Sequence, residues 1–429
     1  MAGLVFAVFA LFLMLGMPIV SSIAISSITP TLLNARGATS AQALIRATFG
    51  GADTISILAV PLFILAGVLM ARGGISKKLF DVFAYFIGNL TAGMPCAAIA
   101  TCLFYGAISG SGPATAAAVG AMCIPVLTDL GYDKDFSGCM IATAGSLGVV
   151  IPPSIPFVLY GMATGASVGN LFLAGIFPGL LIGFCLMGYA IYFCKRHGED
   201  KEKIHANCRQ LREKGFLHLL KDSIWALLSP IIILGGIYSG ITTPTEAACV
   251  SVFYSLIVSL FIYKTIKFKD IWSLVIGAVR GYGPLCFILA IATAFSRVLT
   301  MLRTPQQISE FLARTFSSSA MLMFALIILF FLLRMVMDTG PAIVIMAPIL
   351  MPTLAAYNIS LIHFGVVLVV CLAIGLVTPP FGLNLFVVAP MINTPVMTLG
   401  RKAIPFIAVF LVAIFLIAYI PALSLFLIS

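Results

Sequence analysis

The sequence predicts an all-α polytopic membrane protein that contains two inverted repeats. Hydrophobic residues make up 61% of the 429 residues and charged residues only 9%, whereas a soluble domain carries roughly 25% charged residues. The apolar residues form long runs, and at about 20 residues per span there is room for about eleven transmembrane helices plus two shorter re-entrant hairpins. A third observation, an internal repeat, predicts how these elements are organised.

The repeat relates residues 106–161 to residues 334–389. Matching positions carry glycine and proline in both copies: Gly112-Pro113-Ala114 and Gly340-Pro341-Ala342, then, after a one-residue slip, Gly148 and Gly375, and Pro152-Pro153 and Pro379-Pro380. In hydrocarbon an unpaired backbone group costs several kcal/mol, so a broken helix is tolerated only where protein or a wet cavity satisfies it. Two matching breaks therefore indicate a midplane binding site. Two kinked helices packed for structural reasons are the alternative.

The repeat divides the chain into three parts. The first repeat is 1–194, with a hairpin at 95–128 and a broken helix at 136–165. A basic loop at 195–222 follows. The second repeat is 223–429, with a hairpin at 316–355 and a broken helix at 360–392.

The positive charges predict the orientation of the chain. The net charge is +10, and Lys and Arg concentrate in short connections such as 72–78 and 195–221. The positive-inside rule places these connections and the N-terminus in the cytoplasm and the C-terminus outside. A nucleic-acid or lipid-binding patch is the alternative, but acidic residues alternate with the basic ones in the largest loop, so we expect no nucleic-acid partner. The first hairpin then enters from the cytoplasm and the second from outside, which lets one site face either side alternately.

The hairpin tips carry the residues suited to ion binding. At each tip a helix begins with Gly-Pro-Ala, and its N-terminal dipole and free N–H groups favour an anion. Backbone carbonyls beside the hydroxyls of Ser109, Ser111 and Thr339 suit a hard cation such as sodium. Asp338 would be a sodium ligand, a substrate contact, or the partner of Arg334 one turn away, because a lone carboxylate is costly at membrane depth.

Polar residues also flank both proline pairs. Ser154 follows the first pair, Thr378 precedes the second, and Asn384 lies just beyond it. We expect contacts to substrate or ion, with helix capping as the alternative. An enzyme is not expected: Asp-Thr-Gly would need a second copy to act as an aspartic protease, and the cysteines and histidines show no metal-ligand spacing. We expect no organic cofactor.

At these motifs the chain resembles the large membrane subunit (M component) of tripartite ATP-independent periplasmic (TRAP) transporters. The matching stretches are SGSGPATAAA at 109–118, LGYDKDF at 130–136, GSLGVVIPPSIPFVLYG at 145–161, TPTEAA at 243–248, MDTGPAIVIMAPIL at 337–350 and HFGVVLVVCLAIGLVTPPFGLNLF at 363–386. The resemblance implies sodium-driven, elevator-type uptake of an organic anion of the C4-dicarboxylate or sialic acid class in a bacterial inner membrane. It also implies two partners, a periplasmic substrate-binding protein (P type) and a small membrane subunit (Q type). Because the chain begins at the first M-type helix, that subunit is expected to be a separate polypeptide. A stand-alone sodium-coupled anion permease is the alternative.

Carried onto this sequence, the resemblance implies two sets of site residues. The expected sodium (Na+) ligands are Ser109, Ser111, Gly112 and Gly148 at the first break and Thr339, Gly340, Gly375 and Thr378 at the second. The expected substrate contacts are Ser109, Ser154, Asp338 and Asn384. ATP use is not expected, because the sequence lacks a Walker A loop.

Overall fold

The computed structural model describes residues 1–33, 40–213, 215–335 and 337–428, and the side chain of His218 is not described. These residues are 83% helical and contain no strand, which confirms the all-α prediction. The helices are α1 Ala2–Met14, α2 Ile19–Leu32, α3 Ala41–Ala52, α4 Ala59–Arg72, α5 Ile75–Ile87, α6 Gly93–Ser109, α7 Gly112–Asp129, α8 Lys134–Gly145, α9 Ile155–Thr164, α10 Val168–His197, α11 Lys201–Glu213, α12 Phe216–Tyr238, α13 Pro244–Ile257, α14 Phe268–Met301, α15 Thr304–Thr315, α16 Ser319–Arg334, α17 Thr339–Ala356, α18 Leu361–Ile374, α19 Leu383–Ile392, α20 Val396–Lys402, α21 Ile404–Tyr419 and α22 Ala422–Leu425.

Several of these helices are long and apolar enough to cross a bilayer. Within the described ranges there are six by length and hydropathy, or up to eight if the bent pairs α15–α16 and α19–α20 each count as one span. The six are Ile55–Arg72, Val168–His197, Leu219–Tyr238, Pro244–Ile262, Phe268–Met301 and Thr339–Ala356. Six shorter apolar helices, among them α6, α9 and α18, account for much of the remaining hydrophobic sequence. The expected count of about eleven spans treated such short pieces as parts of longer spans, and it stays a prediction.

The first repeat contains two helix interruptions. Between α6 and α7 the chain turns at Gly110, whose φ of 61° lies in the left-handed region that favours glycine. The second interruption follows α8, where a short 3-10 turn at Ser146–Val149 leads into the cis peptide bond between Pro152 and Pro153, and α9 then begins. Helices α6, α7 and α8 pack against one another. Both interruptions therefore lie within one compact group of helices.

The second repeat has the same order of elements with different packing. Helix α16 ends at Arg334, α17 begins at Thr339, and α18 ends at Ile374 before the cis peptide bond between Pro379 and Pro380. Helix α17 packs mainly against α9, α14 and α15, whereas α16 packs on α18. The two arms therefore do not form a closely paired hairpin like the first one.

The two repeats interlock at their breaks. Helices α7 and α8 of the first repeat pack against α19 of the second, and α9 packs against α17 and α18. A polar link reinforces this contact: the Asp135 carboxylate at the start of α8 is bound by the Lys402 ammonium and by the Thr394 hydroxyl. Both breaks thus belong to one packed unit, with α14 against α2, α3 and α4 beside it. The inverted relation of the repeats stays a prediction.

The stretch 195–222, predicted as a loop, is largely helical. Helix α10 continues to His197, α11 occupies Lys201–Glu213, and α12 begins at Phe216, while Lys214 lies outside the described residues. Helix α11 is amphipathic and buries Ile204, Cys208 and Leu211 at a spacing of one helical face. The loop prediction was wrong because the high charge of this stretch concealed its short apolar face.

Glycines set how closely these helices approach. A Cβ atom built on Gly106 in α6 would lie 2.8 Å from the Cα atom of Gly148, closer than side-chain carbons tolerate. A Cβ atom built on Gly188 in α10 would have no atom of the described residues within 4 Å. The backbones of α6 and of the first break therefore touch directly.

We expect Gly106→Ala to lower the melting temperature of the purified protein in detergent, because overpacking a core costs about 1–3 kcal/mol. The matched variant Gly188→Ala should leave it unchanged or raise it slightly, since alanine favours a helix over glycine by about 0.5–1 kcal/mol. Equal melting temperatures for the two variants would contradict the close approach.

Candidate functional site: the two helix breaks

The tip between α6 and α7 holds a cluster of hydroxyl and carbonyl oxygens. The Ser109 Oγ atom lies 2.8 Å from Thr115 Oγ1, which in turn donates to the Ser111 carbonyl at 2.9 Å. These oxygens converge because Ser111 and Thr115 lie one turn apart at the start of α7. Thr115 was not identified from the sequence, although its spacing from Ser111 was the available signal.

The first break packs directly onto this tip. The Ile155 N–H donates to the Gly110 carbonyl at 3.4 Å. A Cβ atom on Gly148 would collide with Thr115 Oγ1 and lie 2.7 Å from the Ser111 carbonyl oxygen. Only glycine allows this approach, so the backbone of Gly148 lies beside the oxygen cluster. A role of Gly148 as a sodium ligand stays a prediction.

Asn384 reaches the same place from the second repeat. Its Nδ2 donates to the Ala142 carbonyl at 2.8 Å and to Ser146 Oγ at 3.2 Å. The side chain is fully buried, and among the described residues its Oδ1 atom has no hydrogen-bond partner. That oxygen lies 3.6 Å from where a Cβ atom of Gly112 would stand. A buried acceptor without a donor is costly, so this oxygen is available for a bound cation.

The tip between α16 and α17 is built around an ion pair. Asp338 Oδ1 accepts the Thr339 N–H at 2.7 Å and lies 3.2 Å from Nη2 of Arg334. The Arg334 side chain is 2% exposed and that of Asp338 51% exposed. Sodium ligand, substrate contact and partner of Arg334 were the three roles considered for Asp338, and the structure contains the third contact. About half of the Asp338 side chain remains exposed.

The hydroxyls of two expected site residues, Ser154 and Thr378, form hydrogen bonds within the helix breaks. The Ser154 hydroxyl donates to the Val149 carbonyl and accepts the Phe157 N–H at 3.4 Å, which makes it the N-cap of α9. The Thr378 hydroxyl donates to the Ile374 carbonyl at 3.0 Å. Ser154 therefore makes the capping contact that was the alternative expected from the sequence, and a contact of either hydroxyl to substrate or ion stays a prediction.

A cavity of about 140 Å³ lies between the two tips and is hereafter called the central cavity. Ser111, Asp338, Thr339 and Gly340 line it together with Leu285 of α14. Asp338 is its one charged lining residue among those the structure describes. Four of the predicted site residues thus meet in one space, although they come from opposite halves of the chain.

Larger cavities adjoin the central one on both sides. The α4-side cavity, about 580 Å³, shares Ser111, Ile155 and Leu285 with it and is also lined by Ser109 and Arg72. On the other side a cavity of about 250 Å³ shares Leu159 with it. That space continues, through shared lining residues such as Met162 and Thr293, into the α3-side cavity of about 710 Å³.

Arginines line the two outer members of this series. Arg46 and Arg297 line the α3-side cavity beside Thr293, Ser296 and Thr300, and no acidic residue lines it in the described part of the chain. Arg72 lines the α4-side cavity, likewise without a described acidic residue. The sequence did not identify Arg46 or Arg72 as part of a site, because their positions in short polar connections resemble ordinary topogenic charges.

Comparisons with known proteins agree with this architecture. Residues 6–423 match the family described as the DctM component of the tripartite ATP-independent periplasmic transporter. An isethionate TRAP transporter permease protein of Oleidesulfovibrio alaskensis is 38% identical over 421 residues, 98% of this chain but 65% of that protein. A C4-dicarboxylate TRAP transporter large permease protein of Pseudomonas aeruginosa is 39% identical over 378 residues, 88% of this chain and 87% of that protein.

The fold also resembles a solved transporter structure. That of MtrF from Neisseria gonorrhoeae superposes with a TM-score of 0.62 at 14% identity, covering 87% of this chain and 83% of that one. At this identity the likeness concerns the fold alone. The match over nearly the whole chain, with identities above 30% to large permeases, shows that the chain is a multi-pass membrane protein of the TRAP transporter family, in which it belongs to the DctM component.

Proposed function

We propose that this chain transports a small organic anion across a bacterial inner membrane together with sodium. The observation that carries the proposal is that two helix N-termini from opposite repeats, α7 and α17, meet at one central cavity beside a buried oxygen cluster. The N-termini suit the anion and the oxygens suit the cation. Coupling requires the anion and the sodium ion to bind close together, and the proximity of these N-termini and oxygens supports the proposal.

The anion would bind in the central cavity. Pro113 and Gly340, in the first turns of α7 and α17, both line it, so the positive ends of two helix dipoles face the same space. The Ser111 and Thr339 residues add polar contacts, while Arg334 balances the charge of Asp338. Such a site selects for negative charge without presenting a mobile cationic side chain.

Sodium would bind at the first break. Its ligands would be the Ser109 and Thr115 hydroxyls, the Ser111 carbonyl and the unpartnered Asn384 Oδ1 atom, with Gly112 and Gly148 allowing the backbone to approach. Hard cations prefer oxygen ligands of this kind. The proposal moves Asn384 from the expected substrate contacts to the sodium ligands, because its free oxygen is buried beside the tip rather than on a wall of the central cavity.

The interlocked unit suits an elevator-type movement. The breaks and tips form one packed body, and it meets α4 and α14 at small or apolar residues such as Gly67 and Leu285. A movement of that body along α4 and α14 would open the central cavity first to one flanking cavity and then to the other. In this proposal the N-terminus is cytoplasmic and the C-terminus periplasmic, so the α3-side cavity faces the periplasm.

Two partners complete the proposed system, a periplasmic substrate-binding protein and a small membrane subunit. The names of the two relatives specify isethionate and C4-dicarboxylates, which are small organic anions. This supports an organic acid as the substrate of this chain, with sialic acid as the further class expected from the sequence.

We expect proteoliposomes holding this chain and its small subunit to accumulate one labelled acid from a set of isethionate, succinate and N-acetylneuraminate. Accumulation should require both an inward sodium gradient and the cognate binding protein. Sodium-driven uptake of free acid without that protein would favour a stand-alone permease. Uptake that ignores sodium would contradict the coupling.

Thr115→Val should raise the sodium concentration for half-maximal uptake by about tenfold, because it removes one ligand and one hydrogen bond worth about 1 kcal/mol or more. The matched control is Thr128→Val in the same helix, where an exposed hydroxyl bonds the Ile124 carbonyl at 2.8 Å. An unchanged sodium dependence in a well-folded Thr115→Val protein would refute the ligand set.

In this proposal the acid enters through the α3-side cavity and contacts Arg46 and Arg297, which line it. The double variant Arg46→Gln and Arg297→Gln should therefore raise the apparent KM for the acid by about tenfold, since one charge-assisted hydrogen bond to the anion is worth about 1.5–3 kcal/mol. The maximal rate should change little, because neither side chain lines the central cavity. The control is Arg314→Gln, an exposed arginine in the last turn of α15 that lines none of the cavities described above. A KM equal to that of the control would exclude the α3-side cavity as an anion entrance.

A further inference from the structure

The two copies of the repeat differ in chemistry at the place where cations are expected. Four residues with hydroxyl groups lie at the first tip and break, namely Ser109, Ser111, Thr115 and Ser146. The hydroxyls of Ser109, Thr115 and Ser146 are hydrogen-bonded there, and Ser111 contributes its backbone carbonyl. The residues at the same repeat positions in the second copy are, in order, Met337, Thr339, Ile343 and Ala373. Only one of the four hydroxyls is therefore kept, and the second copy is poorer in ligands for a hard cation.

The second copy has an arginine where the first has glycine. Arg334 stands at the repeat position of Gly106, and the two residues make corresponding contacts. Gly106 packs on the Cα atom of Gly148, and the aliphatic stem of Arg334 lies across Gly375, the repeat counterpart of Gly148. The contact between positions 334 and 375 thus corresponds to the backbone contact between Gly106 and Gly148, and it places the guanidinium group of Arg334 at the second break.

The contacts of this guanidinium group are those of a counter-ion. Its Nη1 atom donates to the carbonyl of Met337 at 2.9 Å. Met337 is the residue that corresponds to Ser109 in the first copy. Its Nη2 atom lies 3.2 Å from Asp338 Oδ1 without hydrogen-bond geometry, and Nε has no partner among the described residues. A side chain that is 2% exposed with unused donors is costly, which favours a charge-balancing role over a purely structural one.

We propose that the Arg334 guanidinium group takes the place of a sodium ion at the second break, as the fixed counter-ion of Asp338. This inference rests on the proposed sodium-coupled function and refines its stoichiometry. Sodium binds at the first break alone, and Thr339, Gly340, Gly375 and Thr378 do not bind an ion while Arg334 is present. A fixed cation cannot dissociate, so the second tip contributes its charge without consuming a sodium ion in each cycle.

The test measures sodium binding through protein stability, without any acid present. A ligand that binds only the folded protein stabilises it in proportion to the logarithm of its concentration, once per site. The purified chain with its small subunit is therefore melted in detergent in NaCl and in choline chloride at equal ionic strength. The slope of melting temperature against log sodium concentration reports the number of sites.

We expect one-site behaviour for the wild type and about twice that slope for Arg334→Gly, because sodium then reaches Asp338. Adding Asp338→Asn to Arg334→Gly should return the slope to its one-site value. Arg334→Lys should keep the one-site slope. The control Arg314→Gly removes an exposed arginine of α15 and should behave as the wild type.

The outcomes separate this inference from the proposed function. The inference is overturned if the slope for Arg334→Gly equals that of the wild type. It is also overturned if the double variant Arg334→Gly, Asp338→Asn keeps the doubled slope. Absence of any sodium response in the wild type contradicts sodium coupling, while the comparison of wild type with Arg334→Gly still decides the role of Arg334. If Arg334→Gly does not fold, the slope of the wild type decides: a one-site slope supports the inference, whereas a two-site slope shows a second ion and overturns it.

Discussion

Backbone groups exposed by four helix interruptions in an apolar body are the constraint on which the rest of this structure depends. Each free N–H or carbonyl group needs a partner where water is scarce. At the first break the partners include the capping hydroxyl of Ser154 and the tip carbonyl of Gly110. At the second they include the Asn384 N–H, which donates to the Leu376 carbonyl at 2.9 Å, and the guanidinium of Arg334. The polar groups left over after this pairing form the candidate site.

The interlocking of the repeats follows from the same need. Neither break is enclosed by its own repeat alone, since α8 packs on α19 and α9 packs on α17 and α18. Asn384 illustrates the exchange, because it belongs to the second repeat but hydrogen-bonds the Ala142 carbonyl of the first. A body assembled in this way is well suited to move as a unit, since separating the repeats would expose buried polar groups of both.

The two breaks show how one motif supports two kinds of charge balance. The Gly-Pro-Ala motif recurs in the first turn of both helices, α7 and α17, although α17 begins one residue earlier, at Thr339. A glycine four residues before each proline pair, Gly148 or Gly375, also recurs. Around this shared frame the first copy gathers uncharged oxygens and the second an ion pair. A pseudo-symmetric backbone can therefore carry an asymmetric electrostatic site, because the side chains vary independently of the glycines and prolines that shape it.

Local features of the sequence determined the fold class, the family and the positions of the interruptions, because hydropathy, glycine and proline act on the chain at the place where they occur. The sequence also identified Ser111, Asp338, Thr339 and Gly340, which line the central cavity. Tertiary structure decided the rest: that Ser154 is a helix cap, that Thr115 joins the oxygen cluster, and that Asn384 leaves one oxygen without a partner among the described residues. These facts depend on where a side chain points and on what a distant segment places beside it, and residue type and spacing along the chain do not specify either.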